Sequence, residues 1–195
     1  MARIFIVMGK SATGKDTVYN HLLNDPQLKL EKIVLYTTRP KRKNEVDGEE
    51  YNFVDDTMLK KLLADDKVIE CRTYETVYGP WSYFTVDDGN INLESKNYIM
   101  IGTVEAYIDL KKYFGESKAY PLYIEVDDGI RLSRALGREL NQETPKYSEM
   151  CRRYLADEID FSDKQIEIAD IKKRYSNNCL EQCLLEIKND IKNIM

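Results

Sequence analysis

A chain of 195 residues with 43% hydrophobic and 32% charged residues has the balance of a folded globular protein, enough for one substantial core, and is neither disordered nor fibrous in composition. Its formal net charge of −5 excludes the global basic field that marks nucleic-acid binding, so no nucleic-acid partner is expected and local basic clusters carry more meaning. No apolar stretch nears the roughly 18 residues of a spanning helix, and "MARIFIVMG" has too short an apolar core for a signal peptide, so a cytoplasmic protein with no membrane partner is expected.

The run "RIFIVMG" is β-branched, aromatic and unbroken up to a glycine, which predicts a buried parallel strand. Residues 16–24, with Val18, Leu22 and Leu23, read as a helix. "KIVLYTT" reads as a second strand and "DDTMLKKLLADD" as a short helix opened by acids at its positive end. "KVIECRTYE" and "VYGPWSYFTV" alternate as antiparallel or edge strands around Tyr78-Gly79-Pro80. "NYIMIG" and "YPLYIEV" are further strands, separated by the helical "TVEAYIDLKKYF". A helical stretch from about 128 to 161 is broken near Asn141 to Pro145 into two helices. At the end, Leu180, Cys183, Leu184, Ile187, Ile191 and Ile194 recur at helical spacing and predict an amphipathic closing helix. Strands alternating with helices, without internal repeat, argue for an α/β fold on a parallel sheet. Cys71, Cys151, Cys179 and Cys183 form no C-x-x-C pair and are expected to be reduced and mostly buried; His21 is expected on a helix surface or in helix packing.

Gly9-Lys10-Ser11-Ala12-Thr13-Gly14-Lys15 matches G-x-x-x-x-G-K between a strand and a helix, the setting in which backbone N–H groups converge on phosphate oxygens. Lys15 would neutralise β- and γ-phosphates. Asp16 stands where the motif has serine or threonine, which makes Thr17 the expected Mg²⁺ hydroxyl. The segment reads as a cradle for a nucleoside triphosphate. Downstream, "YTTRPKRKNEVDGEEYNFV" gathers Arg39, Lys41, Arg42 and Lys43 beside Thr37, Thr38 and Tyr51, a second anion site built from guanidinium forks and hydroxyl donors.

The pattern T-T-R-x-x-R-x-x-E-x-x-G-x-x-Y-x-F downstream of a P-loop resembles the guanylate kinase family, which transfers the γ-phosphoryl of ATP to GMP. The resemblance extends to Glu70 in "VIEC", Tyr78-Gly79, Arg134 to Arg138 in "RALGR", and Arg153. It implies an α/β P-loop NTPase three-layer fold: a parallel core over about residues 1–34, 97–126 and 164–195, a small acceptor-binding subdomain over 35–96, and a helical lid over 127–163. It implies ATP on Gly9, Ser11, Ala12, Thr13, Gly14, Lys15, Asp16, Thr17 and Asn177, with Mg²⁺ at Thr17. It implies the acceptor phosphate on Arg39, Arg42, Tyr51 and Tyr78, and guanine on Glu70. Lys15, Arg39, Arg134, Arg138 and Arg153 would neutralise the transferring phosphoryl group.

The chain departs from the family pattern at Leu35 and Pro80, where hydroxyl residues that help recognise guanine are usual, and at Met100 and Gly102, where a strand end carries acids. Two other readings therefore stand beside the first. One is a kinase of the same fold acting on a phosphorylated sugar such as ribose 1,5-bisphosphate. The other is a non-catalytic guanylate kinase-like module that binds partner proteins, against which the intact Gly9, Gly14, Lys15 and Thr17 weigh.

Overall fold

The computed structural model describes residues 2–76 and 79–195. Strand β1 (Ile4–Met8) leads through a glycine-rich turn into α1 (Lys15–Leu23), and β2 (Leu30–Lys32) follows. The chain then forms β3 (Tyr36–Thr37), β4 (Asn52–Phe53), α2 (Asp56–Ala64), β5 (Val68–Thr76) and β6 (Gly79–Val86). It continues with β7 (Asn97–Ile101), α3 (Val104–Phe114) and β8 (Ala119–Glu125), then α4 (Asp128–Leu140), α5 (Tyr147–Asp160) and α6 (Asp163–Ile168). β9 (Arg174–Ser176) and α7 (Leu180–Ile194) close it.

Five strands form a parallel sheet in the order β2-β7-β1-β8-β9, and four form a second sheet, β4-β3-β6-β5, in which β3 and β5 run antiparallel to β6. Side-chain alternation along β1 makes the layers. Ile4, Ile6 and Met8 pack with Tyr107 and Leu110 of α3 and Ile166 of α6. Phe5 and Val7 pack the other way, with Val18 and Leu22 of α1 and Ile187 and Ile191 of α7. Every residue of β1 is buried, so each contributes about 1.5–3 kcal/mol of hydrophobic stabilisation, and the strand that carries the glycine-rich turn is the most firmly held in the molecule. In the second sheet, Phe84 and Val86 turn one face onto Leu59 of α2.

Two expectations need correction. "KIVLYTT" is two short strands in different sheets: Ile33 N–H still donates to Ile99 of the core at 3.1 Å, whereas Leu35 O accepts from Asn52 N–H at 2.8 Å. An apolar run states that a segment is extended and says nothing about a change of neighbour midway. The cysteines are not mostly buried, since only Cys183 is, in the α7 interface, while Cys71, Cys151 and Cys179 are exposed. The closing helix runs from Leu180 to Ile194, the span its periodic residues predict. β4, α6 and β9 are too short to carry a readable period. The break between α4 and α5 falls where Asn141 to Pro145 predicts it, and His21 is exposed on α1. Among the described residues no helix is long and apolar enough to cross a membrane.

Candidate active site

The glycine-rich turn is shaped by what surrounds it. At Gly9 a Cβ would lie 2.4 Å from the Ile124 carbonyl oxygen of β8, so only glycine lets β1 and β8 stay this close. Gly14 caps α1 with φ +82°, a left-handed conformation that L side chains resist. Between them Thr13, buried, donates its hydroxyl to Lys10 O at 2.8 Å, and the buried Asn177 amide donates to Thr13 O at 2.7 Å. The expected adenine-side residue Asn177 is thus a brace of the turn. Lys15 is the first residue of α1, half-buried, and the first N–H groups of that helix have no intrahelical partner. Asp16 and Thr17 follow on the exposed first turn and project about 100° apart, so they cannot address one ion in the same way.

Two helices, α4 and α5, rest on this turn. Arg131 of α4, fully buried, donates to Ser11 O at 3.3 Å, to Glu158 at 2.7 Å and to Asp128 at 3.0 Å, with Asp157 at 3.4 Å and the Tyr154 ring centroid at 4.4 Å. Lys10 pairs with Glu158 at 2.7 Å, and Ser11 N–H donates to Asp157 at 2.6 Å. Arg134 reaches Asn177 O at 3.1 Å. Arg153 stays on the surface of α5, paired with Glu149 at 2.8 Å, and Arg138 is exposed. The structure therefore brings Arg134 to the turn and leaves Arg138 and Arg153 outside it. Beneath these helices, at the carboxyl ends of β8 and β9, lies a cleft of about 640 Å³ lined by Lys10, Thr13, Asp128, Arg131, Arg174 and Asn178 among others. The ends of parallel strands are where ligands enter such sheets.

A second group of candidate residues lies on one face of the second sheet. Arg39 is 4% exposed, and its guanidinium grips Glu45 through two bonds of 2.7 and 3.0 Å while lying over the rings of Tyr51 and Phe53 at 5.6 and 5.5 Å. Burial disfavours its charge, but Glu45 and Tyr83 outweigh that and raise its pKa; Glu45 is held below the usual carboxylate range chiefly by its bond to Arg39. Tyr51, Tyr83 and Tyr74 continue the group edge to face, at 5.6 and 5.9 Å. Arg42 is exposed, and its N–H donates to Glu45 at 2.8 Å. Tyr78 lies outside the described residues.

On the same face of the second sheet Glu70 is buried, 4% exposed. Thr85 Oγ1 donates to its Oε1 at 2.7 Å and Arg72 Nε to its Oε2 at 2.9 Å. Arg72 Nη1 also reaches Thr103 Oγ1, the cap of α3, at 3.4 Å, which ties the second sheet to the end of β7 beside the β1 turn. Burial opposes the charge on Arg72, and Glu70 and Tyr74 override it to raise its pKa. Met100 is core, and a Cβ on Gly102 would meet Ile6 Cγ2 at 2.8 Å, so a larger residue at 102 would require the Ile6 side chain to shift.

Sequence reasoning missed Arg131 and Arg72. Arg131 shares the stretch "IRLSRALGR" with two arginines that were singled out, but nothing in the spacing says which one turns inward. Arg72 lies two residues past Glu70, the period at which a strand returns side chains to one face, and that was the available signal.

The Guanylate kinase family model matches residues 1–88. A guanylate kinase of Porphyromonas gingivalis is 28% identical over 194 residues, covering 98% of this chain and 97% of the relative. One of Bacteroides fragilis is 30% identical over 169 residues, covering 84% and 78%. Among solved structures, a crystal structure of guanylate kinase from Anaplasma phagocytophilum superposes with a TM-score of 0.64 at 19% identity, covering 98% of this chain and 85% of the other, which is a likeness of fold.

Proposed function

We propose that this chain, which belongs to the guanylate kinase family, transfers the γ-phosphoryl group of ATP to the phosphate of GMP or dGMP. The observation that carries the reading is that the glycine-rich turn and the arginine- and tyrosine-bearing face of the second sheet are joined through Arg72 and Thr103. The glycine-rich turn ends β1, and the Arg39–Tyr51–Tyr83–Glu70 face is tied through Arg72 and Thr103 to the end of β7, the next strand. An acceptor phosphate oxygen attacks the γ-phosphorus as its bond to the β-bridging oxygen breaks, leaving ADP and a nucleoside diphosphate. The acceptor is already anionic, so no general base is needed and catalysis rests on positioning and charge neutralisation. Lys15 and the first amides of α1 would hold the β- and γ-phosphates. Arg39 and Arg42 would hold the acceptor, and for Arg39 this requires sharing its fork with Glu45. Arg134, Arg138 and Arg153 would neutralise the transferred group, the last two only after the lid moves.

No group of three or more candidate metal ligands occurs among the described residues. Thr17, with Asp16 beside it, is a sparse donor set that fits Mg²⁺, which keeps several waters and takes its other ligands from nucleotide phosphates. When bound with ATP it supplies charge neutralisation across the β- and γ-phosphates.

The test is ADP release with Mg·ATP against GMP, dGMP, AMP, CMP, UMP and ribose 1,5-bisphosphate. GMP and dGMP should lead, and Lys15→Ala should lower kcat by at least about 100-fold. Leadership by the sugar bisphosphate would replace the acceptor; Met100 and Gly102, which bring no acid to the β7 end, are the residues that favour that second reading. Turnover that survives Lys15→Ala would remove the turn from the mechanism.

A further inference from the structure

We propose that Arg72 is a specificity-determining residue: it donates to the 6-oxo group of the acceptor's purine while Glu70 accepts from the ring N–H groups, so that the two read 6-oxopurine nucleotides as a donor–acceptor pair. This rests on the reading of that face of the second sheet as a nucleoside monophosphate site.

Glu70, Arg72 and Tyr74 alternate onto one face of β5, opposite Thr85, Tyr83 and Trp81 of β6. An ionised carboxylate offers about four lone-pair sites. Two of them are filled at close range, by Thr85 at 2.7 Å and Arg72 Nε at 2.9 Å, and a third is approached by Arg72 Nη2 at 3.5 Å. The guanidinium carries five N–H donors; Nε–H is held closely by Glu70, and Tyr74 is a further side-chain partner. Its Nη atoms reach Glu70 and Thr103 at 3.5 and 3.4 Å, beyond the range of good N–H···O bonds. A side chain only 11% exposed is thus left with two weakly engaged Nη groups beside a buried carboxylate.

Guanine presents O6 next to N1–H and the 2-amino group, and arginine donating to O6 is a common way of recognising it. Adenine turns N–H donors toward the same guanidinium. Leu35 packs into the apolar core, Pro80 has no donor, and the Thr37, Thr38, Thr73 and Ser82 hydroxyls bond among themselves and to local backbone.

The test compares GMP with 6-thioguanosine monophosphate, which keeps N1–H and the 2-amino group and weakens only the acceptor at position 6. In Arg72→Met, kcat/KM for GMP should fall about 10- to 100-fold, mainly through KM, as expected for loss of a base-reading arginine. For the thio analogue it should fall less than about threefold, so that the preference for oxygen collapses; Arg72→Lys should restore part of it. Equal losses on both acceptors, or no loss on GMP, would overturn the proposal and make Arg72 only a counter-charge. Should Arg72→Met fail to fold, Glu70→Gln/Arg72→Met removes both charges together and must show the same collapse. A wild-type protein that does not phosphorylate GMP at all would refute the nucleotide reading itself, whereas active wild type with an unchanged preference would refute only the role of Arg72.

Discussion

Gly9 has almost no tolerance for a side chain, because the atom in its way is the backbone oxygen of Ile124 in a strand paired to β1 along its whole length. Gly9→Ala should therefore lower the unfolding free energy by about 1–3 kcal/mol, the cost of overpacking a rigid site. Urea denaturation followed by circular dichroism measures it, and an unchanged midpoint would mean that β1 and β8 can part without penalty. That glycine, Gly14 and Lys15 were legible in the chain because their roles are local: a turn, a cap and a cation at fixed spacing. Arg39 was legible only as a charge. Its engagement by Glu45, six residues on, depends on how the intervening loop folds back, and its stacking on Tyr51 and Phe53 depends on the pairing of β3 with β4. Glu70 was named as a bare carboxylate, and the structure gives it a partner in Arg72 that alters what the pair can recognise.

At the scale of elements, α4 and α5 are joined to the glycine-rich turn through one buried guanidinium. Arg131 compensates Asp157 and Glu158 on α5, and the Lys10–Glu158 pair and the Ser11 N–H to Asp157 bond depend on those acids staying in place. Removing one member of a buried ionic cluster costs about 3–5 kcal/mol when the rest is sealed from water. Here the carboxylates are partly exposed, so Arg131→Met should destabilise by about 2–3 kcal/mol. Amide exchange in α5 should accelerate more than in α7; equal protection in wild type and variant would show that α5 is anchored elsewhere. The helices themselves were readable, with their break at Asn141 to Pro145, since a proline cannot continue a helix. Which arginine of α4 faces inward was not, because α4 carries leucines and arginines on several faces and only the neighbouring elements decide which face is covered.

The whole molecule should be least tolerant of alkali. Tyr107 and Tyr123 are pushed up to about 12 by burial, and Tyr36 to about 12 by burial and then by its bond to Asp88. An unfolded tyrosine ionises near pH 10. Between about pH 10 and 12 the folded chain holds protons that the unfolded chain releases, so stability is full below about 10 and declines as pH rises toward 12. The thermal midpoint should fall by several degrees from about pH 9.5 to about 11.5, and less in Tyr107→Phe, which has no phenolic proton to lose; a flat profile would contradict the burial of these hydroxyls. Read alone, the amino-acid order determined the layered α/β architecture, the family likeness and the cradle at residues 9–17, because periodicity and glycine spacing are properties of contiguous chain. Only the tertiary structure decided that residues 32–38 divide between two sheets, that Asn177 braces the turn, and that Arg131 and Arg72 meet their carboxylates. Each of those facts depends on which distant segment supplies the neighbour, and a buried charge takes its meaning from its partner.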